Sequence, residues 1–168
     1  MAKLSILLYP SPVILKKSLP VTSIDGALQR FIDDMVETMY AAPGMGLAAP
    51  QVGALRRVIV LDPSHDRVPT QQPMALINPV LVEGIGQIVE EEGCLCIPDL
   101  QEPVSRFKHV VVKAYDRNEK EVILEGTGLL ARILQHEIDH LDGVLFIDRL
   151  STAKRLLLKR QLKKAGKD

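Results

Sequence analysis

Residues 127–143, TGLLARILQHEIDHLDG, constrain the fold of this chain more than any other segment. Leu129, Leu130, Ile133, Leu134, Ile138 and Leu141 cover so much of a helical circumference that a helix here must be wrapped by the rest of the chain. Thr127 stands where a cap belongs, and Gly143 where such a helix ends. Into this apolar surface the sequence sets His136, Glu137 and His140. Histidines four apart project from one helical face about one turn from each other, so both imidazoles reach one metal ion, and Glu137 leans over the same place. In a buried helix each of these polar groups carries a desolvation penalty that a metal site explains. Satisfied core histidines are the commoner outcome for a lone histidine, not for a pair in chelating register.

Two histidines do not complete a catalytic centre; a third protein ligand is needed, with a fourth position left for water. A third histidine of the metzincin kind would fall at Phe146, and no glutamate follows His140. Downstream there are only Asp142, Asp148 and Asp168. The best upstream donor is a thiolate from EEGCLCIP, residues 91–98. On an extended segment Cys94 and Cys96 point the same way, so spacing does not choose between them. Both also fit as small buried hydrophobes. A third element, GMGLAAPQ at residues 44–51, formally fits a dinucleotide fingerprint with Asp62 beyond it. Its context does not, because a helix precedes it and Pro50 and a nearby strand leave no room for one after it. What remains is a loop whose backbone can approach a ligand closely, ending in Gln51, an amide able to donate to a developing oxyanion.

The rest of the chain supplies the wrapping. Leu28, Phe31, Ile32, Met35 and Met39 predict an amphipathic helix over residues 24–41, capped by Ser23 or Asp25 and broken after Ala42 by Pro43 and a loop to about Ala54. Short β-rich runs follow at 58–61, 75–77, 80–82, 88–89, 110–115 and 121–124, separated by Pro, Gly and Asp. A last helix near 151–165 carries Leu156, Leu157, Leu158 and Leu162 against basic residues. The order predicts an α+β fold, antiparallel or mixed sheets packed around the buried helix that carries HExxH, with a C-terminal helix, in a single catalytic domain over residues 1–168. At this length roughly 68–70% of the extended surface is buried on folding, so a metal is for chemistry and not a staple. Two cysteines one residue apart are too few for a secreted disulfide framework and indicate a reducing compartment. No run is apolar enough to span a bilayer, and the start, interrupted by Pro10 and Pro12, reads as a strand and turn and not as a signal peptide. Lys plus Arg and Asp plus Glu both number 21. That neutrality conceals a tail, residues 151–168, of net +6 against −6 on the remainder.

GMGLAAPQ, EEGCLCIP and QHEIDHLDG, in this order and at these separations, resemble the peptide deformylases, and the resemblance covers nearly the whole chain. It implies metal ligation by Cys94, His136 and His140, with Glu137 as acid and base, and Gln51 and the Leu95 backbone N–H as oxyanion donors. It further implies that Met45, Gly46 and Gly93 hold the substrate backbone and that Ile133 borders a pocket for methionine. The implied reaction is hydrolysis of the N-formyl group from the formylmethionine of nascent polypeptides, with release of formate. One divalent ion is implied, Fe2+ natively, with Zn2+ or Ni2+ able to substitute. The implied place is the cytoplasm of a bacterium or an organelle. The basic C-terminal helix has two readings: by default a solvated face with its leucine stripe against the domain, or, as the resemblance implies, a cluster that meets the ribosome. One departure is visible: the family usually has serine where this chain has Cys96, which is expected to be a packing residue whose thiol can compete for metal or oxidise. Arg132, beside the expected pocket wall, is less apolar than a methionine pocket suggests. The rival readings are an HExxH metallopeptidase, which lacks its downstream ligand, and a closed structural zinc site made of Cys94, Cys96, His136 and His140.

Overall fold

A computed structural model describes residues 2–64 and 72–165. Lys167 and Asp168, counted in the basic tail, lie outside the described residues. In chain order the elements are α1 (Gly26–Ala41), β1 (Gly46–Ala48), β2 (Val58–Leu61), β3 (Met74–Ile85), β4 (Ile88–Cys94), β5 (Ile97–Arg106), β6 (His109–Tyr115), β7 (Glu121–Thr127), α2 (Gly128–Leu141) and α3 (Thr152–Ala165). Five strands form one sheet in the order β1-β2-β3-β6-β7, and β4 and β5 form a separate hairpin. Every one of these pairings is antiparallel. The parallel contact is an isolated bridge between Leu19 and Arg56. The α+β architecture is the one the element order predicts.

β2, VIVL, is buried at all four positions because it is covered on both faces. Alternate residues of a strand point to opposite faces. Ile59 and Leu61 pack with Ala131, Leu134, Ile138 and Leu141 of α2, while Val58 and Val60 pack with Leu28, Ile32, Met35 and Met39 of α1. Each fully buried aliphatic side chain contributes about 1.5–3 kcal/mol of transfer free energy, so these layers lock α2 against the sheet. A third cluster, with Ile14, Cys96, Ile97, Val104, Phe146 and Leu158, lies under the hairpin. From Ala131 to Leu141 every residue of α2 is buried.

The helix ends obey local chemistry. Asp25, not Ser23, caps α1 by accepting from the Leu28 N–H at 2.9 Å. Thr127 occupies the cap position of α2, but its side chain makes no capping bond. At the other end the Val144 and Gly143 N–H groups donate to the Asp139 and His140 carbonyls, the Schellman closure that requires a left-handed residue. Gly143 supplies it at φ +73°, where a Cβ would also meet the Leu15 carbonyl oxygen at 2.6 Å.

Several local expectations are revised. The loop after α1 contains a short strand, β1, and a 3-10 turn over Ala49–Val52. β1 has only three residues and no alternation that a sequence pattern can register. The runs at 75–77 and 80–82 are one strand, β3, continued through a register shift at Asn78 and Pro79. Asn78 holds that bulge with φ +52°, its amide accepting from the Val21 N–H at 2.8 Å and donating to the Val21 carbonyl at 2.9 Å. β5 had no apolar alternation to reveal it, and a two-stranded hairpin tolerates Pro98 and Pro103 because its outer edges need no ladder. The N-terminal residues 2–8 join neither sheet as a strand. They are tied by single bonds instead: the Ala2 and Leu4 N–H groups donate to the Asp34 and Thr38 side chains at 2.7 and 2.8 Å, and the Leu7 N–H, followed by that of the next residue but one, Tyr9, donates to the Gln51 and Cys96 carbonyls, both at 2.8 Å. On α3 only Leu158 is buried; Leu156 and Leu157 are about half exposed.

Candidate metal centre and cleft

Cys94 closes β4 and pairs across the turn with Ile97, which leaves Leu95 and Cys96 as the turn itself. The hairpin thereby delivers the Cys94 Sγ to within 3.2 Å of His140 Nε2. His140 Nε2 lies 3.3 Å from His136 Nε2. One donor atom from each of these three residues falls within 4.8 Å of the others, the group of this kind found among the described residues. Cys96 is not in that group; its Sγ contacts Cys94 Sγ at 3.1 Å, and its side chain is wholly buried in the third core cluster. A four-ligand closed site is therefore not what the described residues assemble. The Cys94 thiol is pushed up, first by the Cys96 contact and then by burial. An anionic sulfur at this position thus calls for a cation beside it. Two imidazole nitrogens and one sulfur suit a borderline divalent ion that keeps a further position open.

Behind the histidines stands a charged lattice that the sequence reading did not single out. His136 Nδ1 lies 2.9 Å from Glu92 Oε1. A carboxylate acceptor there fixes the proton on Nδ1 and turns Nε2 toward Cys94 and His140. Glu92 is gripped by Arg106 through Nε and Nη2 at 2.8 and 2.9 Å, and also by Arg132. Burial alone would raise its pKa, but the hydrogen bonds and charges of Arg106 and His136 bring it down to about 2. Arg106 Nη1 continues to Asp139 at 2.6 Å, which Arg149 holds at 3.0 and 2.6 Å. Glu92 could have been found from sequence by asking which carboxylate near the cysteine could orient a ligating histidine. Arg106 and Arg149 carried no such signal, because only the fold brings them close. Arg132 is accounted for: it borders the cleft, but its charge is spent on Glu92.

Gln51 sits in the 3-10 turn, wholly buried. Its Oε1 accepts from the Ala48 N–H at 2.9 Å, which leaves Nε2, 3.5 Å from Cys94 Sγ, facing the donor group. Glu137 lies over the same place. Burial pushes its pKa up to about 7, with Glu92 and Asp139 adding and His136 and Arg106 opposing. One of its oxygens, Oε2, has no hydrogen-bond partner among the described residues. Gly46 makes room for it, since a Cβ there would meet Glu137 Oε1 at 2.7 Å.

These groups open on a cleft of about 700 Å³. Met45, Gly46, Gln51, Gly93, Cys94, Leu95, Ile133, His136 and Glu137 all line it, so every sequence-predicted site residue except His140 borders the cleft, and His140 touches it through Cys94. The sequence reading missed Pro43, Leu100, Gln101 and Leu129 in its walls. Leu129 was expected to be buried and is 41% exposed, because the first turn of α2 emerges at the mouth.

Comparison with known proteins places this geometry. The family model described as Polypeptide deformylase matches residues 3–156. The peptide deformylase of Thermodesulfovibrio yellowstonii is 52% identical over 163 residues, 97% of this chain and 98% of that protein. That of Chromobacterium violaceum is 48% identical over 167 residues, 99% and 98% of the two chains. Among solved structures, a peptide deformylase from Legionella pneumophila matches with a TM-score of 0.89 and 43% identity over 99% of this chain and 96% of that one. The peptide deformylase from Ehrlichia chaffeensis in complex with actinonin matches with a TM-score of 0.89 and 36% identity over 98% of each chain. Because the family match runs from the first residues into α3, and relatives covered almost end to end share about half their residues with it, the chain belongs to the peptide deformylase family.

Proposed function

We propose that Cys94, His136 and His140 hold one divalent ion, natively Fe2+ with Zn2+ or Ni2+ able to substitute, and that Glu137, Gln51 and the Leu95 N–H carry the proton and the developing charge. The activity is that of the family: hydrolytic removal of the N-formyl group from nascent polypeptides, with release of formate. The observation that supports the assignment of roles is the convergence of one sulfur and two ring nitrogens beside a buried carboxylate and a buried amide donor. A divalent ion held by Cys94, His136 and His140 would supply Lewis acidity, the chemistry that makes a water nucleophilic near neutral pH. Glu137 takes the proton that this water loses and hands it to the leaving amine. As charge builds on the formyl oxygen, Gln51 Nε2 and the Leu95 N–H donate to it more strongly than to the ground-state carbonyl. Met45, Gly46 and Gly93 hold the peptide backbone along the hairpin, and Ile133 packs on the methionine side chain.

Among the described residues downstream of His140 an internal endopeptidase reading has no support. Asp142 is engaged by Arg57 at 2.9 Å, and Asp148 by Lys159 at 2.7 Å and by the Leu145 N–H at 2.9 Å. The deciding experiment is formate release from a formyl-Met dipeptide by anaerobically purified protein of measured metal content, alongside a capped internal peptide. Formate from the first with no cleavage of the second is expected; cleavage of the second would reverse the assignment. Actinonin, bound in the Ehrlichia chaffeensis relative, is expected to occupy this cleft and compete with substrate.

The place of action proposed is the bacterial cytoplasm or an organelle, with the single chain acting as one catalytic domain. No helix among the described residues is long and apolar enough to cross a membrane. For α3 the proposed partner is the ribosome. Lys154 and Lys159 are paired with Glu102 and Asp148, while Arg155, Arg160, Lys163 and Lys164 form no ion pair among the described residues. Deletion of residues 151–168 should abolish salt-sensitive co-sedimentation with ribosomes; unchanged binding would remove this partner.

A further inference from the structure

We propose that Cys96 is the resolving partner of Cys94 in a reversible disulfide driven by hydroperoxides, a modification that withdraws one donor from the metal centre. Its consequence rests on the proposed metal ligation; its thiol chemistry does not. Both cysteines are free thiols, and their sulfurs already lie 3.1 Å apart. The hairpin turn holds them there, since Cys94 ends β4 and the chain has returned to pair with it at Ile97. Access is one-sided. Cys94 lines the cleft, whereas Cys96 is 0% exposed among Ile14, Val104 and Phe146. A small oxidant therefore reaches Cys94, and Cys96 is reachable only through Cys94.

The steps follow that order. The Cys94 thiol gives up its proton and its sulfur attacks one oxygen of a hydroperoxide, ROOH. The O–O bond breaks, RO⁻ takes up a proton and leaves as ROH, and Cys94, oxidised by two electrons, is a sulfenic acid. The Cys96 thiol then loses its proton and its sulfur attacks the Cys94 sulfur. Hydroxide is expelled and combines with that proton as water. In sum two thiols and one hydroperoxide give one disulfide, one ROH and one water. A disulfide closing so short a ring is strained and hence readily reduced by thiols. Without Cys96 the sulfenic acid has no neighbouring thiol and proceeds to the sulfinic and sulfonic acids, which thiols do not reverse.

The test uses the full chain loaded with zinc, which has no redox chemistry of its own, treated with hydrogen peroxide. Three readouts are taken: intact mass without reductant, alkylatable thiols, and zinc released to an indicator. The wild type is expected to lose the mass of two hydrogens, both thiols and its zinc together, and to regain all three on adding dithiothreitol and zinc. Cys96→Ser, and Cys96→Ala as the variant without a buried hydroxyl, are expected to bind zinc normally, then gain oxygen on Cys94 irreversibly. Wild type that gains oxygen on Cys94 as the variants do, or that forms only disulfides between chains, overturns the proposal. Zinc content before peroxide is read separately: an intramolecular disulfide in a chain that never bound zinc would sink the metal assignment while upholding the thiol chemistry.

Discussion

Glu137 shows how one side chain acquires its chemistry from its surroundings. Burial raises its pKa to about 7, so the ionised fraction that can accept a proton grows as pH rises toward that range. In the metal-free protein the Glu137 carboxyl is therefore expected to titrate above the ordinary carboxylate range, read by NMR of that side chain, and a midpoint near 4 would mean that burial does not govern it. Glu137→Ala should retain stoichiometric metal by elemental analysis while losing turnover by about 10²–10⁴-fold or more; full activity would exclude the acid and base role. Glu92 moves the opposite way, held at about 2 against an ordinary 4.5. A depressed folded-state pKa contributes stability that is present above about 4.5 and is lost as pH falls toward 2. The shift is worth about 3 kcal/mol, so denaturant midpoints should fall steeply over that window, and Glu92→Gln should remove most of that slope. The same variant should weaken metal binding about 10–100-fold, measured by chelator competition, because the His136 ring loses its charged orienting partner.

At the scale of the element, α2 depends on how it stops. Gly143 combines a left-handed backbone with a backbone oxygen 2.6 Å from where a Cβ would lie. Gly143→Ala is expected to destabilise by roughly 2 kcal/mol or more, which corresponds to a fall in Tm of about 4–8 °C for a chain of this size. An unchanged Tm would mean that the Schellman end is not holding His140 in place. Gly46 tests the opposite coupling. A methyl on β1 would displace Glu137 and not the strand ladder, so Gly46→Ala should lose formate release while keeping its near-ultraviolet dichroism and metal content. Loss of metal instead would show that β1 supports the histidines directly.

At the scale of the whole molecule, one apolar cluster packs α2 on the sheet, a second packs α1 on the other face and a third lies under the hairpin, and of the three proposed ligands only Cys94 touches any of them, at an edge. Chelation is therefore expected to abolish activity while leaving cooperative thermal unfolding intact, at a lowered Tm; an unfolded apoprotein would recast the metal as structural. What the sequence determined is what depends on neighbours in the chain. Helical period placed α1 and α2, and i,i+4 spacing put His136 and His140 on one face. Three motifs named the cleft-lining residues from Met45 to Ile133. What only the tertiary structure decided involves partners far apart in the chain. Spacing left Cys94 and Cys96 equivalent, and the turn at Leu95 with the burial of Cys96 separated them. The pairing of Glu92 with His136, Arg106 and Arg132 and of Asp139 with Arg149 spans strands and helices that no local pattern links. β5 and β1 likewise exist because a partner strand satisfies their backbones. Local periodicity is written into a sequence because adjacent residues share one helix or strand, whereas charge pairing and ligand choice depend on distances that exist only after the chain has closed on itself.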